Sequence, residues 1–188
     1  MKKIVITGGL GYIGMELCKV YSGESRNYEI KVIDTIFSSS RVNQLRNWGI
    51  DFKQGDTTNQ DFLKKEIKDA DLIYHFADIT EVGKTSADVN LERDKRILDV
   101  SINGTKNVIK YSKADAKIIF TSTHTVFEGI KEQILELDES FTPSPELAYS
   151  KGKIISENNI INSGKNFTIL RLGTVYGLSH YDSMRVNS

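Results

Sequence analysis

The sequence predicts an α/β fold: a doubly wound parallel sheet with helices on both faces. Two observations lead there. Short β-branched or alternating runs take turns with segments of helical apolar spacing along the chain, the pattern of parallel strands joined by crossover helices. The first strand run, KKIVIT (2–7), also breaks into glycines that open directly onto the first helical run. A length of 188 residues suits one domain, and 39% hydrophobic with 9% aromatic residues suffices for a packed core.

The elements follow in order. After the glycines, YIGMELCKVYS places Ile13, Leu17, Val20 and Tyr21 at helical spacing. YEIKVID (28–34) alternates as a second strand. SSSR (38–41) reads as a polar loop, and GIDFKQGD (49–56) as a third strand ending in a turn. NQDFLKKEIKDA begins at an Asn cap candidate and runs as a helix. DLIYHFAD (71–78) is a fourth, buried strand. Residues 88–113 form a long helix, with Leu91, Ile97, Leu98, Ile102, Val108 and Ile109 as its apolar stripe. AKIIFTST (116–123) is a fifth strand. A helix over 146–164 follows the only two prolines and ends at Gly164, and NFTILRLGTV (166–175) is a sixth strand. No internal domain boundary or repeat interrupts this order.

Charge and composition remove several function classes. Lys plus Arg equals Asp plus Glu at 25 each, so no global field attracts nucleic acid or an anionic membrane. No apolar run is long enough to span a bilayer, and the N-terminal apolar stretch is too short for a signal peptide. Cys18 is the only cysteine; it sits between apolar neighbours as a core thiol, with no disulfide framework or metal cluster. A reducing cytoplasm fits.

The glycine turn TGGLGYIG (7–14) carries the first functional signal. Gly8, Gly11 and Gly14 are spaced three apart between a strand and a helix. In a Rossmann-type fold the first glycine permits the tight turn, the second lets the backbone approach a pyrophosphate, and the third lets helix and strand pack closely. The helix N-terminus offers unpaired N–H groups to the phosphates. Asp34 ends the second strand about 20 residues on, where a carboxylate binds a ribose 2′-OH and repels a 2′-phosphate. NAD is therefore expected over NADP, with Arg41 in the next loop able to soften the preference.

The second signal is AYSKGK (148–153), which sets Tyr149 and Lys153 four positions apart, on one face of a helix. A free tyrosine ionises near pH 10, and a neighbouring ammonium favours the phenolate. Taken with the glycine turn, the chain resembles the short-chain dehydrogenase/reductase superfamily, in its extended branch of nucleotide-sugar epimerases and dehydratases. TGGLGYIG is similar to that branch's glycine motif, YSKGK to its YxxxK motif, FTSTHTVFEG (120–129) to SSSxxVYG and LRLGTVYG (170–177) to LRxxNVYG. GD at 55–56 resembles the segment whose aspartate contacts adenine. HFAD (75–78) resembles HLAA, and HFADITEVGKTS is close to the form found in UDP-galactose 4-epimerases.

The resemblance implies a site. Thr123, Tyr149 and Lys153 would be catalytic. Gly8, Gly11, Tyr12, Ile13 and Gly14 would cradle the NAD phosphates, with Asp34, Asp56 and Thr57 toward the adenosine half. Phe76, Ala77, Asp78 and Thr80 would lie along the cofactor with Ser101 and Thr121, and Tyr149 and Lys153 would meet its nicotinamide end. Residues 1–177 would form the NAD-binding domain with the catalytic residues. Residues 178–188 would begin the connection to a substrate-binding lobe that the sequence lacks, leaving the chain able to bind NAD but poor in turnover. A nucleotide-sugar substrate and a homodimer are expected, and His75 and His180 receive no role. Departures from the family pattern bear on the substrate: Asp78 stands for the second Ala of HLAA, Ser101 and Thr174 for asparagines, Thr80 for a lysine of galactose epimerases, and Phe127 for a tyrosine. The 4,6-dehydratases carry Asp-Glu after the catalytic threonine. Here His124 and Thr125 follow Thr123, which disfavours dehydration and leaves His124 as either a proton carrier or a polar loop residue.

The implied reaction is epimerisation. Tyr149 takes a proton from a sugar hydroxyl, Thr123 positions the oxygen, Lys153 holds the nicotinamide ribose, and hydride passes to NAD and returns to the other face of the keto-sugar. A net nucleotide-sugar ketoreductase would use the same residues, and a non-catalytic NAD-binding sensor or scaffold is the reading from another class.

Overall fold

The computed structural model of the chain describes residues 1–24, 27–80, 90–131 and 136–177. Six strands form one parallel sheet: β1 (Lys2–Thr7), β2 (Tyr28–Asp34), β3 (Asp51–Gln54), β4 (Leu72–His75), β5 (Lys117–Thr123) and β6 (Asn166–Leu172). Their spatial order is β3-β2-β1-β4-β5-β6, with every neighbouring pair parallel. This is the doubly wound Rossmann order. It reverses direction between β1 and β4 and so opens a crevice at their C-terminal ends.

Alternation along the central strands fills both faces. Ile4 and Ile6 of β1 join Val32 of β2 in a cluster with Met15 and Cys18 of α1 (Tyr12–Ser22) and with Val42 and Leu45 of α2 (Ser39–Asn47). Val5 of β1 and Ile33 of β2 point the other way, into a cluster with Leu63 and Ile67 of α3 (Gln60–Ile67) and Val108 of α5 (Thr105–Tyr111). Burial on both faces explains why these strands read as near-continuous apolar runs. The lone thiol of Cys18 lies in the first core, and burial pushes its pKa up to about 12.

Some elements differ from the expectation. The polar SSSR stretch does not stay a loop, because α2 starts at Ser39. That helix buries only Val42 and Leu45, too small a stripe to stand out in a polar segment. The expected stripe of the long helix holds at Ile97 and Val108, but Leu91 is 81% exposed, and on α1 Val20 is exposed as well. The helix runs as α4 (Leu91–Asp99), a π turn (Val100–Gly104) and α5. Its expected first residues, 88 and 89, lie outside the described residues, as do 178–188, where the connection to a further lobe was expected. The π turn brings Gly104 against β3's outgoing loop: a Cβ there would stand 2.6 Å from Thr57 Oγ1. Asn107, one turn on, donates to the carbonyls of Thr57 and Thr58 at 3.0 and 3.2 Å. An extra residue in the helix thus ties the loop after β3 to the core, in keeping with the habit of π turns to sit beside sites.

Candidate active site

The turn after β1 is shaped by what its glycines cannot carry. Gly8 has φ 69°, in the left-handed region, and a Cβ on it would lie 2.6 Å from the Ala77 backbone nitrogen. A Cβ on Gly14 would lie 2.5 Å from Gly9 Cα, so the start of α1 rests directly on the turn. Among the described residues a Cβ on Gly11 would meet Gly8 O alone, at 3.1 Å. The first turn of α1 holds no acidic side chain. The result is a backbone-lined cradle at a helix N-terminus whose own first turn carries no carboxylate to oppose an anion. Tyr12 and Ile13 form that first turn, both partly buried, and the Tyr12 hydroxyl lies against Gly177.

Asp34 closes the cradle at the end of β2. Its Oδ2 accepts from Leu10 N and its Oδ1 from Ile36 N, each at 3.0 Å. A carboxylate has about four acceptor positions, so lone pairs remain for two further hydroxyls. Burial raises its pKa above the ordinary carboxylate value, opposed by the backbone N–H groups it accepts from and by the Arg41 guanidinium, which donates to Leu10 O. Asp56 follows β3 and accepts from Thr58 N at 2.9 Å, and Thr57 is buried against Gly104.

β4 ends in His75, fully buried. Its ring nitrogens lie 2.7 Å from Thr7 Oγ1 and 3.0 Å from Thr105 Oγ1. Desolvation, with the Lys153 charge second, lowers its pKa to about 3, so the ring is neutral. Thr7 Oγ1 also accepts from Ala77 N at 3.3 Å, and Phe76 N donates to Thr7 O at 3.0 Å. His75 therefore has a structural part that the sequence reading did not give it: it locks the end of β1 to the segment 76–78 that flanks the glycine turn. Thr80 is exposed at the far end of that segment.

The expected catalytic residues come from β5 and α6 (Ala148–Ile161). Thr123 ends β5; its Oγ1 accepts from Thr125 N at 3.2 Å and lies 3.0 Å from Thr125 Oγ1. Tyr149 stands in the first turn of α6, partly buried, and its hydroxyl has no hydrogen-bond partner among the described residues. Lys153 is 2% exposed. Its ammonium donates to Thr121 O at 2.7 Å, lies 4.7 Å from the Phe120 ring centre and 5.5 Å from that of Tyr149, and pairs with Asp78 Oδ2 at 2.8 Å. The Asp78 contact is ionic; its angle falls outside hydrogen-bond geometry. Ser101, expected at the cofactor, sits in the seam between the π turn and α6, where Ser156 Oγ donates to its carbonyl at 2.8 Å and Gly152 makes room for it. His124 is exposed, with Nδ1 3.2 Å from Leu172 O.

One positioning group escaped the sequence reading. Glu128, just after the 3₁₀ turn His124–Phe127, accepts from Glu146 N at 2.8 Å and Leu147 N at 2.6 Å, and also from the Ser150 hydroxyl. A carboxylate at the N-terminus of α6 satisfies orphan donors and complements the helix dipole, and so fixes the turn that bears Tyr149. Its partners lie across a loop, so no local spacing announces it.

Comparison with known proteins adds the family. The model of the 3-beta hydroxysteroid dehydrogenase/isomerase family matches residues 5–178. The chain belongs to that family. Its place in the extended short-chain dehydrogenase/reductase group, read above from motifs, is borne out. UDP-glucose 4-epimerase uge1 of Schizosaccharomyces pombe is 26% identical over 182 residues, covering 89% of this chain and 50% of its own length. Human dTDP-D-glucose 4,6-dehydratase is 25% identical over 192 residues, covering 96% and 53%. The chain spans about half the length of these curated relatives. Among solved structures, UDP-glucuronic acid 4-epimerase from Bacillus cereus in complex with NAD matches with a TM-score of 0.71 and 25% identity, covering 93% of this chain and 57% of the other. No helix of the described residues is long and apolar enough to cross a membrane, and no group of three or more metal-ligating side chains occurs among them.

Proposed function

We propose that the protein is an NAD-dependent nucleotide-sugar epimerase. The observation that carries the reading is the convergence of Tyr149, Lys153 and the end of β5 beside a glycine cradle whose first and third glycines admit no Cβ. The residues present suit a dinucleotide: a bare helix N-terminus for the phosphates and a carboxylate, Asp34, with acceptor positions to spare for ribose hydroxyls. Bound NAD would supply a reversible hydride acceptor.

The chain's own residues supply the rest. The Tyr149 hydroxyl, without a partner among the described residues, takes the proton from the sugar hydroxyl being oxidised and returns it at reduction. Thr123 holds the same oxygen, its hydroxyl oriented by Thr125. Lys153 has given one of its three N–H donors to Thr121 O and would offer another to the cofactor ribose. Glu128 keeps the first turn of α6 in place while this happens. The epimerase relatives support inversion, and the dehydratase relatives leave elimination as the competing outcome. His124 and Thr125 offer no carboxylate for elimination, which favours the epimerase. Exposed apolar side chains on the neighbouring helices α4 and α6, among them Leu91, Ile155 and Ile161, support a homodimer through that helix pair, and a reducing cytoplasm suits a chain with a single buried cysteine.

The test is incubation with UDP-, GDP- and dTDP-hexoses and substoichiometric NAD, followed by chromatography and absorbance at the NADH band. An epimer appearing without net NADH, at the low rate expected of this chain from its sequence, is the expected result. Stoichiometric NADH would replace the proposal with a net oxidoreductase, and a 4-keto-6-deoxy product would replace it with a dehydratase.

A further inference from the structure

Lys153 is not an isolated cation. Its ammonium and the Asp78 carboxylate stand 2.8 Å apart, with side chains 2% and 3% exposed. Two opposite charges held this deep are strongly coupled, because little water screens them. Asp78 is itself held, since its Oδ1 accepts from Ile79 N at 2.8 Å. Thr121 O holds the ammonium from the other side, and the face of Tyr149 lies 5.5 Å away.

Other charged and titratable groups around the pair are already committed. From β4, His75 is neutral between two threonine hydroxyls. From the loop before α6, Glu128 is spent on the helix N-terminus. From α6 itself, Glu157 is bound in a two-point pair with Arg171 of β6, at 3.1 and 2.8 Å. His124 is exposed and directed at Leu172 O. The π turn offers only Ser101 against Gly152. Asp78 is thus the one carboxylate among the described residues in contact with the Lys153 ammonium.

We infer that Asp78 is the positioning residue of Lys153: it fixes where the ammonium stands and offsets its charge, and so sets the pH at which Tyr149 can act as a base. The inference rests on the reading of Tyr149 and Lys153 as the proton-transfer pair. The chemistry follows from charge alone. A lone ammonium beside a phenol favours the phenolate; an ammonium with a carboxylate on it is nearly neutral and does so much less. Removing the carboxylate charge should therefore let Tyr149 ionise at lower pH, and removing the ammonium should do the reverse.

The experiment is ultraviolet titration of phenolate absorbance on the 188-residue protein without substrate, with the Tyr149 contribution isolated by subtracting a matched Tyr149→Phe protein. Asp78→Asn keeps the shape and an acceptor for Ile79 N. It should move the onset down by about one pH unit, the low end of the shift that an unmasked ammonium 5.5 Å from the ring produces. Lys153→Met should move it up. Asp78→Ala combined with Lys153→Met removes both charges and should restore the parent onset to within a few tenths of a unit. An onset unchanged in Asp78→Asn overturns the inference, whatever happens to melting temperature, because a purely structural ion pair would change stability and leave the titration alone. If Asp78→Asn fails to fold, an unchanged onset in Lys153→Met overturns it equally. No turnover is needed, so failure of the epimerase reading shows in the product assay and failure of this inference in the titration.

Discussion

Acid should loosen the site through His75 before it reaches any residue expected to touch substrate. The ring is fully buried between Thr7 and Thr105, and desolvation lowers its pKa from 6.5 to about 3. A depressed folded-state value means that the unfolded chain takes up the proton first. The stability contributed by neutral His75 is complete above pH 6.5 and is withdrawn as the pH falls toward about 3. Each pH unit in that window is worth about 1.36 kcal/mol, so acidifying from 6.5 to 5 should cost about 2 kcal/mol, a large share of the roughly 5–15 kcal/mol that holds a domain folded. The perturbation is His75→Gln, which keeps a donor and an acceptor but does not titrate. Urea unfolding followed by circular dichroism at pH 7 and pH 5 measures the difference. The variant should be less stable at pH 7, where it loses the ring's contact with Phe120, but its stability should fall less on acidification, by about 2 kcal/mol. Equal losses in parent and variant would refute the argument and leave the carboxylates responsible for any acid lability.

Four further outcomes follow from the geometry. Asp34→Asn should weaken NAD binding and narrow the preference over NADP in calorimetric titrations. Because burial raises the folded-state value of Asp34, its charge costs stability as pH rises through that value, so the ligand-free parent should lose more melting temperature than the non-titrating variant as pH rises from the carboxylate range to neutrality; equal changes in both would contradict this. Tyr149→Phe should lower turnover by about 100-fold or more while leaving the NAD dissociation constant nearly unchanged, and retention of most of the rate would remove Tyr149 from the mechanism. Glu128→Ala strips the acceptor from the start of α6 and should cost about 1–2 kcal/mol in denaturant unfolding; a loss within error would show that water replaces it without cost. Cys18, buried and with its pKa raised to about 12, should react with a thiol reagent only as fast as the protein unfolds, and rapid labelling of the native protein would contradict its burial.

Most of the sheet was legible because its signal is local. KKIVIT, YEIKVID and LIYH are short runs that only a strand accommodates between such loops, and each lies where the alternation of elements puts it. What the sequence hid was what depends on packing between distant segments. α2 has two buried side chains in nine residues, so its amphipathic stripe is too thin to read. Leu91 fits the stripe of α4 by spacing yet is exposed as the first residue of that helix. The π turn at Val100–Gly104 cannot be read from periodicity, since an extra residue shifts the stripe rather than breaking it.

The site divides in the same way. The glycine turn, Asp34, Tyr149 and Lys153 could be named from sequence because each is tied to a backbone feature: a turn, a strand end, the first turns of a helix; Thr123 was named through the motif resemblance. The contacts that tune them could not. Glu128 reaches α6 across a loop, His75 joins two strands and a helix through hydroxyls, and Asp78 meets Lys153 only once β4 and α6 have been packed onto β5. In the sequence Asp78 is a residue expected along the cofactor and a departure from an alanine, with nothing to link it to Lys153. In the fold it puts a negative charge beside the lysine that would otherwise bias the tyrosine, so a departure outside the expected catalytic set falls on an interaction through which the proton chemistry of this site can be reset.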